Sequence, residues 1–184
     1  MMDTEILKSE KKYHAHVFDV SSLEVRLPNG KIRNYDLVEH VPAVEIIPVT
    51  SDGKILFVRQ FRMGANKQLL ELPAGILNGD HGNEDPLLAA ERECREETGY
   101  ESKDIKRIGG FFMTPGYCNE YIHVFLAKDL VKNPLPQDDD EFLNLEALPI
   151  EEAYQMAENA AFEDVKTIAA LMMAQKELRK AAFE

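Results

Sequence analysis

The segment RECREE at residues 92–97 places three glutamates close together in the chain. Successive residues of an α-helix turn by about 100°, so Glu93, Glu96 and Glu97 fall within an arc of about 100°. Like charges on one helix face repel, at about 0.2–0.5 kcal/mol for each i,i+4 pair. A hard divalent cation offsets this repulsion, because Mg²⁺ takes oxygen ligands and combines one or two carboxylates with substrate phosphate. The alternative interpretation is a solvated acidic face with the neighbouring arginines as partners.

The segment that carries these glutamates has the start and stop signals of a helix over Pro86–Thr98. Asp85 is a favourable N-cap, and proline is favoured at the first helical position. Gly99 follows the last periodic residue, as a helix C-cap does. One apolar stripe of this helix is formed at helical spacing by Leu87, Ala90 and Cys94.

The wider pattern is Gly75, a loop, Glu84, seven residues, and then RECREETGY at residues 92–100. It resembles the Nudix box, in which glycine, five residues, glutamate and seven residues precede Arg-Glu-U-x-Glu-Glu-x-Gly-U, with U a bulky apolar residue. Eight residues, not five, separate Gly75 from Glu84. A longer glycine-rich loop costs little closure entropy, so it alters the path of the loop and leaves the helix face unchanged. The resemblance implies that Glu84 and Arg92 form a structural ion pair that orients the helix.

Further segments resemble one branch of this superfamily, the ADP-ribose and nucleoside diphosphate sugar pyrophosphatases. They are VRQFR (58–62), LELPAG (70–75), TPGYCNE (114–120) and EDVKTIAALMMA (163–174). The similarity covers most of residues 35–175. It implies Mg²⁺-dependent hydrolysis of the pyrophosphate linkage of ADP-ribose or another nucleoside diphosphate sugar. Water would attack phosphorus, and the products would be a nucleoside monophosphate and a sugar phosphate.

The resemblance also implies a metal site. Glu93 and Glu97 would be the main ligands and essential for catalysis, with Glu96 as a third ligand and the carbonyl of Ala74 completing the set. Two or three Mg²⁺ ions are expected, with Mn²⁺ as a substitute. Such ions would neutralise developing charge and lower the pKa of a bound water.

An acid run at residues 138–141 lies where the branch places its general base. Alignment across a loop is ambiguous, so Glu141 is the first candidate and Asp140 the second. A carboxylate there would take the proton from the attacking water. A solvated acidic loop is the alternative for most of the run.

Substrate contacts are implied at seven positions. Arg62 would face the diphosphate, because its planar fork suits phosphate oxygens. Glu120 would hold the sugar or base, with an exposed loop acid as the alternative. The full set is Arg62, Glu71, Pro115, Gly116, Glu120, Arg33 and Tyr35.

The N-terminal contacts depart from the branch, whose members often have arginine where Tyr35 stands. Arg33 would substitute from two residues earlier. The aromatic residues Tyr13, Phe18 and Tyr35 could stack on a base. Burial in a core is the interpretation that we favour for them.

The pattern of elements predicts an α+β protein, an α/β/α sandwich. By resemblance this is the Nudix fold, with a mixed β-sheet between helices and a small N-terminal antiparallel β segment. We expect residues 1–40 to form that segment and residues 41–184 the Nudix domain. Predicted strands are Tyr13–Val20, Leu23–Leu27, Lys31–Val38, Ala43–Val49, Ile55–Phe61, Leu69–Leu72, Ile105–Phe112, Tyr121–Ala127 and Phe142–Leu145. Helices are also predicted over Ile150–Asn159 and Glu163–Arg179, the latter packing on the sheet through Val165, Ile168, Leu171 and Met172.

Composition limits the partners. The 184 residues include 21 Lys+Arg against 33 Asp+Glu, a formal charge of −12, which is the wrong sign for binding a nucleic-acid backbone directly. No apolar run approaches the ~20 residues of a membrane helix or has the form of a signal peptide. Two cysteines without a CxxC pair favour a reducing compartment, so we expect a cytoplasmic protein. The resemblance adds a homodimer, formed through the N-terminal strands, that binds a small nucleoside diphosphate sugar.

Three other functions stay open. The first is a pyrophosphohydrolase for a dinucleotide, coenzyme A or a nucleoside triphosphate, against which the TPGYCNE segment argues. The second is a non-catalytic Nudix-fold ligand sensor, which should lack one of the box carboxylates. The third is an acidic interaction scaffold, which predicts no Mg²⁺-dependent activity.

Overall fold

The computed structural model describes residues 3–79, 82–137 and 142–179. Within these ranges the chain forms ten β-strands and three α-helices. They divide into two compact units. The N-terminal unit combines the residues up to Pro42 with Phe111–Tyr121, and the second unit contains Ala43–Gly110 and the residues from Ile122 onward.

The N-terminal unit is built on an antiparallel sheet of three strands in the order β1-β2-β3. A turn at Pro28-Asn29-Gly30 joins β2 to β3, and Gly30 takes the positive φ of 79° that favours glycine. The number of N-terminal strands is as predicted, but the first strand was predicted in the wrong place. It begins at Glu5, eight residues earlier than predicted, where charged residues give no apolar signal and the strand is held by backbone pairing. The strand bounds are β1 Glu5–His14, β2 Phe18–Arg26 and β3 Ile32–His40.

The aromatic side chains of this sheet are exposed. Tyr13 is 60%, Phe18 36% and Tyr35 47% exposed to solvent. The expectation that they belong to a core is therefore wrong for the chain as described. A three-stranded sheet has few residues to cover its faces, so large side chains stay at the surface.

The second unit contains a four-stranded mixed sheet in the order β7-β4-β9-β8 and a three-stranded antiparallel sheet in the order β10-β5-β6. In the mixed sheet, β4 runs parallel to β9 and antiparallel to β7. The predicted strands of this region thus exist but are divided between two sheets. Their bounds are β4 Ala43–Pro48, β5 Lys54–Arg62, β6 Lys67–Glu71, β7 Ala74–Ile76, β8 Tyr100–Phe112, β9 Tyr121–Lys132 and β10 Asn144–Pro149.

Helices cover both faces of the mixed sheet. The helices are α1 Pro86–Thr98, α2 Ile150–Glu158 and α3 Val165–Leu178. Val44 and Ile46 of β4 share a buried cluster with Ala90 and Cys94 of α1, whereas Glu45 between them meets Thr167 of α3. Because successive side chains of a strand point to opposite faces, α1 and α3 lie on opposite sides of β4. This is the α/β/α arrangement that the sequence predicts.

The buried face of α3 differs from the prediction. Val165 is 59% and Met172 40% exposed, so neither packs on the sheet. The buried residues are Lys166, Thr167, Ala170, Leu171, Ala174 and Leu178. Polar residues in the first turn are buried because they bind Glu71 of β6, Leu72 just after it and Glu45 of β4. These contacts set the rotation of the helix.

Two further observations concern the cysteines and the apolar character of the helices. Cys94 and Cys118 are both buried free thiols. Within the described ranges, no helix has both the length and the apolar character needed to cross a membrane.

Candidate active site

The bounds of α1 are those the sequence predicts, and its termini show why. The Asp85 carboxylate accepts the backbone N–H of Leu87 at 2.8 Å, which caps the helix start. Pro86 occupies the first helical position. At the other end Gly99, with φ 78°, donates its N–H to the carbonyl of Arg95. The helix that carries the three glutamates is therefore fixed by local signals at both ends.

Glu93 lies on the buried side of α1, with 6% of its surface exposed. Its carboxylate accepts a hydrogen bond of 2.6 Å from Nη1 of Arg92. It also lies directly against Gly75 of β7, where a β-carbon would overlap the carboxylate atoms. The glycine of the motif is thus required for the close approach of β7 to the acid.

Glu97 lies one turn further along the same face and is 4% exposed. The backbone N–H of Ala74 donates to its Oε2 at 3.0 Å. Ala74 in turn pairs with Glu45 of β4. The peptide at Ala74, predicted from the resemblance to offer its carbonyl to a metal, therefore lies beside the carboxylate of Glu97.

Arg92 is the centre of an ionic network on the same helix. It binds both oxygens of Glu84, at 3.2 Å from Nε and 2.9 Å from Nη2. Its Nη1 also donates to Glu96 at 2.8 Å. Burial lowers the pKa of Arg92, but Glu84, Glu93 and Glu96 outweigh that and hold it above the ordinary value. The predicted ion pair between Glu84 and Arg92 is confirmed.

The lengthened loop between Gly75 and Glu84 is closed at its base. Asn78 donates its N–H to the Glu84 carboxylate at 2.8 Å, and Glu84 donates its N–H to the Asn78 carbonyl at 3.0 Å. Arg92 and, after it, the hydrogen bond from the Asn78 N–H lower the pKa of Glu84, although burial opposes the shift. These contacts fix Glu84 beside Asn78, next to the start of α1.

The donor chemistry of this face fits a hard divalent cation, because Glu93, Glu96 and Glu97 offer oxygen atoms and a peptide lies beside them. In the described part of the chain, no three acidic, histidine or cysteine side chains are grouped closely enough to hold an ion as they stand. Glu93 and Glu96 both bind Arg92. Arg92 therefore holds one oxygen of each of these two carboxylates and orients both on the helix face.

A second ionic network lies at the junction of β5, β6 and α3. Nε and Nη2 of Arg62 donate to the two oxygens of Glu71, at 2.8 Å and 2.7 Å. The ammonium group of Lys166 also donates to Glu71 and, at 2.8 Å, to Asp164. Burial raises the pKa of Glu71, but Arg62 and Lys166 outweigh burial and lower it overall. Glu71, predicted as a substrate contact, is buried and bound to two cations.

Arg62 reaches from this network toward the acidic helix. Its side chain is 42% exposed. Glu71 is the main cause of its raised pKa, and Asp164 and Glu97 contribute through their charges. The guanidinium thus lies within electrostatic reach of Glu97.

A cavity of about 410 Å³ opens at the C-terminal end of α1. Its polar wall includes Glu96 and Glu97, and its apolar wall comes from the segments on either side of residues 138–141. The lining residues are Glu96, Glu97, Thr98, Gly99, Pro134, Leu135, Gln137, Leu143 and Leu145. The acidic helix therefore borders a space large enough for part of a small ligand.

The remaining predicted contacts lie in the N-terminal unit. Arg33 and Tyr35 share a face of β3 and are exposed. Pro115 and Gly116 are exposed in the loop that follows β8. Glu120 is partly buried, with Oε1 3.8 Å from Nδ1 of His40.

The loop with Pro115 and Gly116 is fixed to β3 by its backbone. Val38 donates its N–H to the Tyr117 carbonyl at 2.7 Å, and Asn119 donates to the Val38 carbonyl at 3.1 Å. The Asn119 side chain also accepts the His40 N–H at 2.8 Å. The end of β3 thus holds the TPGYCNE segment in place.

A comparison with known families matches residues 39–171 to the NUDIX domain. The match spans the acidic helix, its glycine and the Arg62 network. The chain belongs to the Nudix family. The expected Nudix pyrophosphatase and α+β Nudix fold are both confirmed.

Similar proteins within the family include two from bacilli. The chain is 35% identical over 176 residues to the ADP-ribose pyrophosphatase of Bacillus subtilis, covering 95% of this chain and 94% of that one. It is 35% identical over 177 residues to the methanol dehydrogenase activator of Bacillus methanolicus, with the same coverage. A crystal structure of an ADP compounds hydrolase, 24% identical, superposes with a TM-score of 0.85 over 97% of this chain and 95% of that chain. The last similarity shows the Nudix fold alone.

The predicted general base of this Nudix chain, Glu141 or Asp140, lies outside the described residues. The sequence analysis did not predict that Lys166 binds Glu71 and Asp164 in the ionic network around Arg62. It also did not predict the burial of Glu45 on β4. One signal was available, since two polar residues, Lys166 and Thr167, follow an aspartate N-cap at the start of an otherwise apolar helix.

Proposed function

We propose that this Nudix enzyme hydrolyses the pyrophosphate linkage of ADP-ribose or another nucleoside diphosphate sugar in the presence of Mg²⁺. The products are a nucleoside monophosphate and a sugar phosphate. The observation that carries the proposal is the burial of Glu93 and Glu97, one turn apart, against the backbone of Gly75 and Ala74. Two carboxylates held this close together favour a bound cation, because the cation offsets their mutual repulsion and accepts oxygen ligands.

Glu93, Glu96, Glu97 and the carbonyl of Ala74 would hold the metal. Bound Mg²⁺ would neutralise charge on the diphosphate and lower the pKa of water; two or three ions are proposed, with Mn²⁺ as a substitute. The acidic surface of the enzyme and its anionic substrate are thereby compatible.

The protein groups then have separate tasks. Arg62 binds the diphosphate through guanidinium N–H groups that Glu71 does not occupy. A carboxylate of the 138–141 run, Glu141 first and Asp140 second, takes the proton as the water oxygen attacks phosphorus. The bridging P–O bond breaks, and its oxygen leaves with the other phosphate.

The N-terminal segment, residues 1–40, is proposed to form the homodimer and to complete the substrate site of the 41–184 domain. Exposed apolar side chains on its sheet support the dimer, because apolar surface of this kind is typical of an interface. Arg33, Tyr35, Pro115, Gly116 and Glu120 are proposed to contact the sugar and base.

The two relatives from bacilli are named for different activities. One at 35% identity is named for ADP-ribose and another at 35% for activation of methanol dehydrogenase. Identity alone therefore does not choose between their activities. ADP-ribose or another nucleoside diphosphate sugar is proposed because the Arg62 network and the glutamate helix are suited to a diphosphate.

A substrate panel tests the proposal. Purified protein is incubated with ADP-ribose, GDP-mannose, UDP-glucose, a dinucleotide and a nucleoside triphosphate, each with and without Mg²⁺, and products are measured by ³¹P NMR. Hydrolysis of a diphosphate sugar that requires Mg²⁺ is expected. Preference for the dinucleotide or triphosphate would favour the broader pyrophosphohydrolase, and hydrolysis of none would favour a sensor. In H₂¹⁸O, the product that gains the label identifies the phosphorus attacked.

A further inference from the structure

Lys166 occupies a position that is unfavourable for a cation. It lies in the first turn of α3 and is 9% exposed. The helix dipole disfavours positive charge at this end, and burial of an ammonium group costs free energy unless it is paired. Its partners are Glu71 and Asp164, and their negative charges keep its pKa above the ordinary value although burial lowers it.

Glu71 connects Lys166 to Arg62. Its Oε1 accepts Nε of Arg62 at 2.8 Å, and its Oε2 accepts both Nη2 of Arg62 at 2.7 Å and the ammonium group of Lys166. A guanidinium that binds a carboxylate at two points has a fixed plane. Whatever fixes the carboxylate of Glu71 therefore also fixes the orientation of Arg62.

The charges of this network balance in pairs. Arg62 and Lys166 are positive, and Glu71 and Asp164 are negative. Asp164 also contributes to the raised pKa of Arg62, so it lies within electrostatic reach of the guanidinium. Without the charge of Lys166, both acids would compete for Arg62, and its pairing with Glu71 would no longer be unique.

The other edge of Arg62 is available for a ligand. Among residues 3–79, 82–137 and 142–179, Nη1 of Arg62 has no hydrogen-bond partner. The Arg62 side chain is 42% exposed, and the negative charge of Glu97 contributes to the raised pKa of Arg62. The guanidinium of Arg62 is thus partly open to solvent and within electrostatic reach of Glu97.

We propose that Lys166 is a positioning residue: acting through Glu71, it holds the outer edge of Arg62 toward the diphosphate. This rests on the proposed function in one respect, the binding of a diphosphate by Arg62. A purely structural ion pair is the alternative. A purely structural ion pair would change stability when Lys166 is replaced and would leave the orientation of Arg62 unchanged, so the two roles predict different measurements.

The first test needs neither substrate nor metal. Water exchange of the Arg62 Nε–H is measured by NMR on ¹⁵N-arginine-labelled full-length protein, with Arg62→Lys identifying the signal. In Lys166→Met we expect exchange to be about tenfold faster, and in Lys166→Arg to stay within about threefold of wild type. Equal exchange in wild type and Lys166→Met would overturn the proposal. Thermal unfolding checks that each variant is folded, and Lys166→Gln serves if the methionine variant is not.

The second test is a double-mutant cycle on hydrolysis of ADP-ribose. We expect Lys166→Met to raise KM about tenfold with kcat within about twofold, because binding through Arg62 is weakened. In an Arg62→Ala background the same change should raise KM less than about twofold, since coupled residues are not additive. Multiplicative effects would contradict the proposal. If wild type hydrolyses no diphosphate, the proposed function fails while the exchange test still decides the role of Lys166.

Discussion

The carboxylate of Glu93 lies so close to the α-carbon of Gly75 that a β-carbon at position 75 would overlap its oxygen atoms. The two residues belong to α1 and β7, which are joined by the lengthened loop. This contact fixes the distance between the helix and the peptide of Ala74. The motif glycine thus sets the position of the acid rather than the conformation of a turn.

Gly75→Ala should lower activity about 10- to 100-fold, because a methyl group at this position displaces the Glu93 carboxylate from its site. Gly64→Ala is the matched control, since nothing lies within 4 Å of a β-carbon there. Steady-state hydrolysis of ADP-ribose by both variants checks the prediction. Equal activity in the two variants would show that the position of Glu93 is unimportant.

Glu97→Gln should lose most turnover, by about 100-fold or more, because a neutral amide is a weaker ligand for Mg²⁺ than a carboxylate. The fold should persist, since the amide oxygen can still accept the Ala74 N–H. Glu91→Gln on the same helix is the control. Activity and circular dichroism are measured together, and near-normal turnover in Glu97→Gln would rule out the proposed metal site.

The helix of the site could be predicted to the residue because its signals are local. Asp85 and Pro86 define its start, and Gly99 defines its end. The pairing of Glu84 with Arg92 followed from the resemblance and depends on a loop closed at its base. None of these features requires knowledge of distant parts of the chain.

The buried face of α3 could not be predicted in this way. Lys166 binds Glu71 and Thr167 binds the N–H of Leu72, and each pair is separated by 95 residues in sequence. An apolar pattern assigns polar residues to the surface. The predicted buried face of α3 therefore included Val165 in place of Lys166 and Thr167. The first strand was misplaced for a related reason, because backbone pairing stabilises it without an apolar stripe.

Arg92→Ala should lower the free energy of unfolding by about 1–3 kcal/mol, since it leaves Glu84, Glu93 and Glu96 without their shared cation. Mg²⁺ should restore part of this loss, because binding to the native state stabilises it. The increase in Tm on adding Mg²⁺ is therefore expected to be larger in the variant than in wild type. Arg95→Ala, which lacks these acid partners, is the control, and an equal increase in all three proteins would contradict the prediction.

Glu141→Gln should reduce kcat by about 100-fold or more, because an amide cannot accept the proton of the attacking water. Asp138→Asn, in the same acid run, should have a small effect. The measurement is kcat against pH, in which the acidic limb should disappear with the true base. A near-normal rate in Glu141→Gln would assign the base to Asp140 or to another residue.

Glu45 is a fully buried acid on β4, at the face that meets α3. Its Oε2 has no hydrogen-bond partner within the described residues. Burial raises the pKa of Glu45 from 4.5 to about 8, although the charge of Lys166 opposes the shift. The carboxyl group is thus neutral in the native protein at pH 7 and charged in the unfolded chain.

Glu45→Gln should therefore stabilise the protein more at pH 8 than at pH 5. Below pH 4.5 both states of wild type hold the proton, and stability carries no penalty from Glu45. As pH rises toward 8, the unfolded chain releases the proton first, so unfolding becomes easier by up to about 1.4 kcal/mol for each pH unit. Glutamine removes this loss, and the difference in Tm from wild type should grow with pH, which thermal unfolding at pH 5, 6.5 and 8 measures. Glu24→Gln on the exposed part of β2 should show no such trend, and a constant difference for Glu45→Gln would mean that Glu45 is charged in the native state.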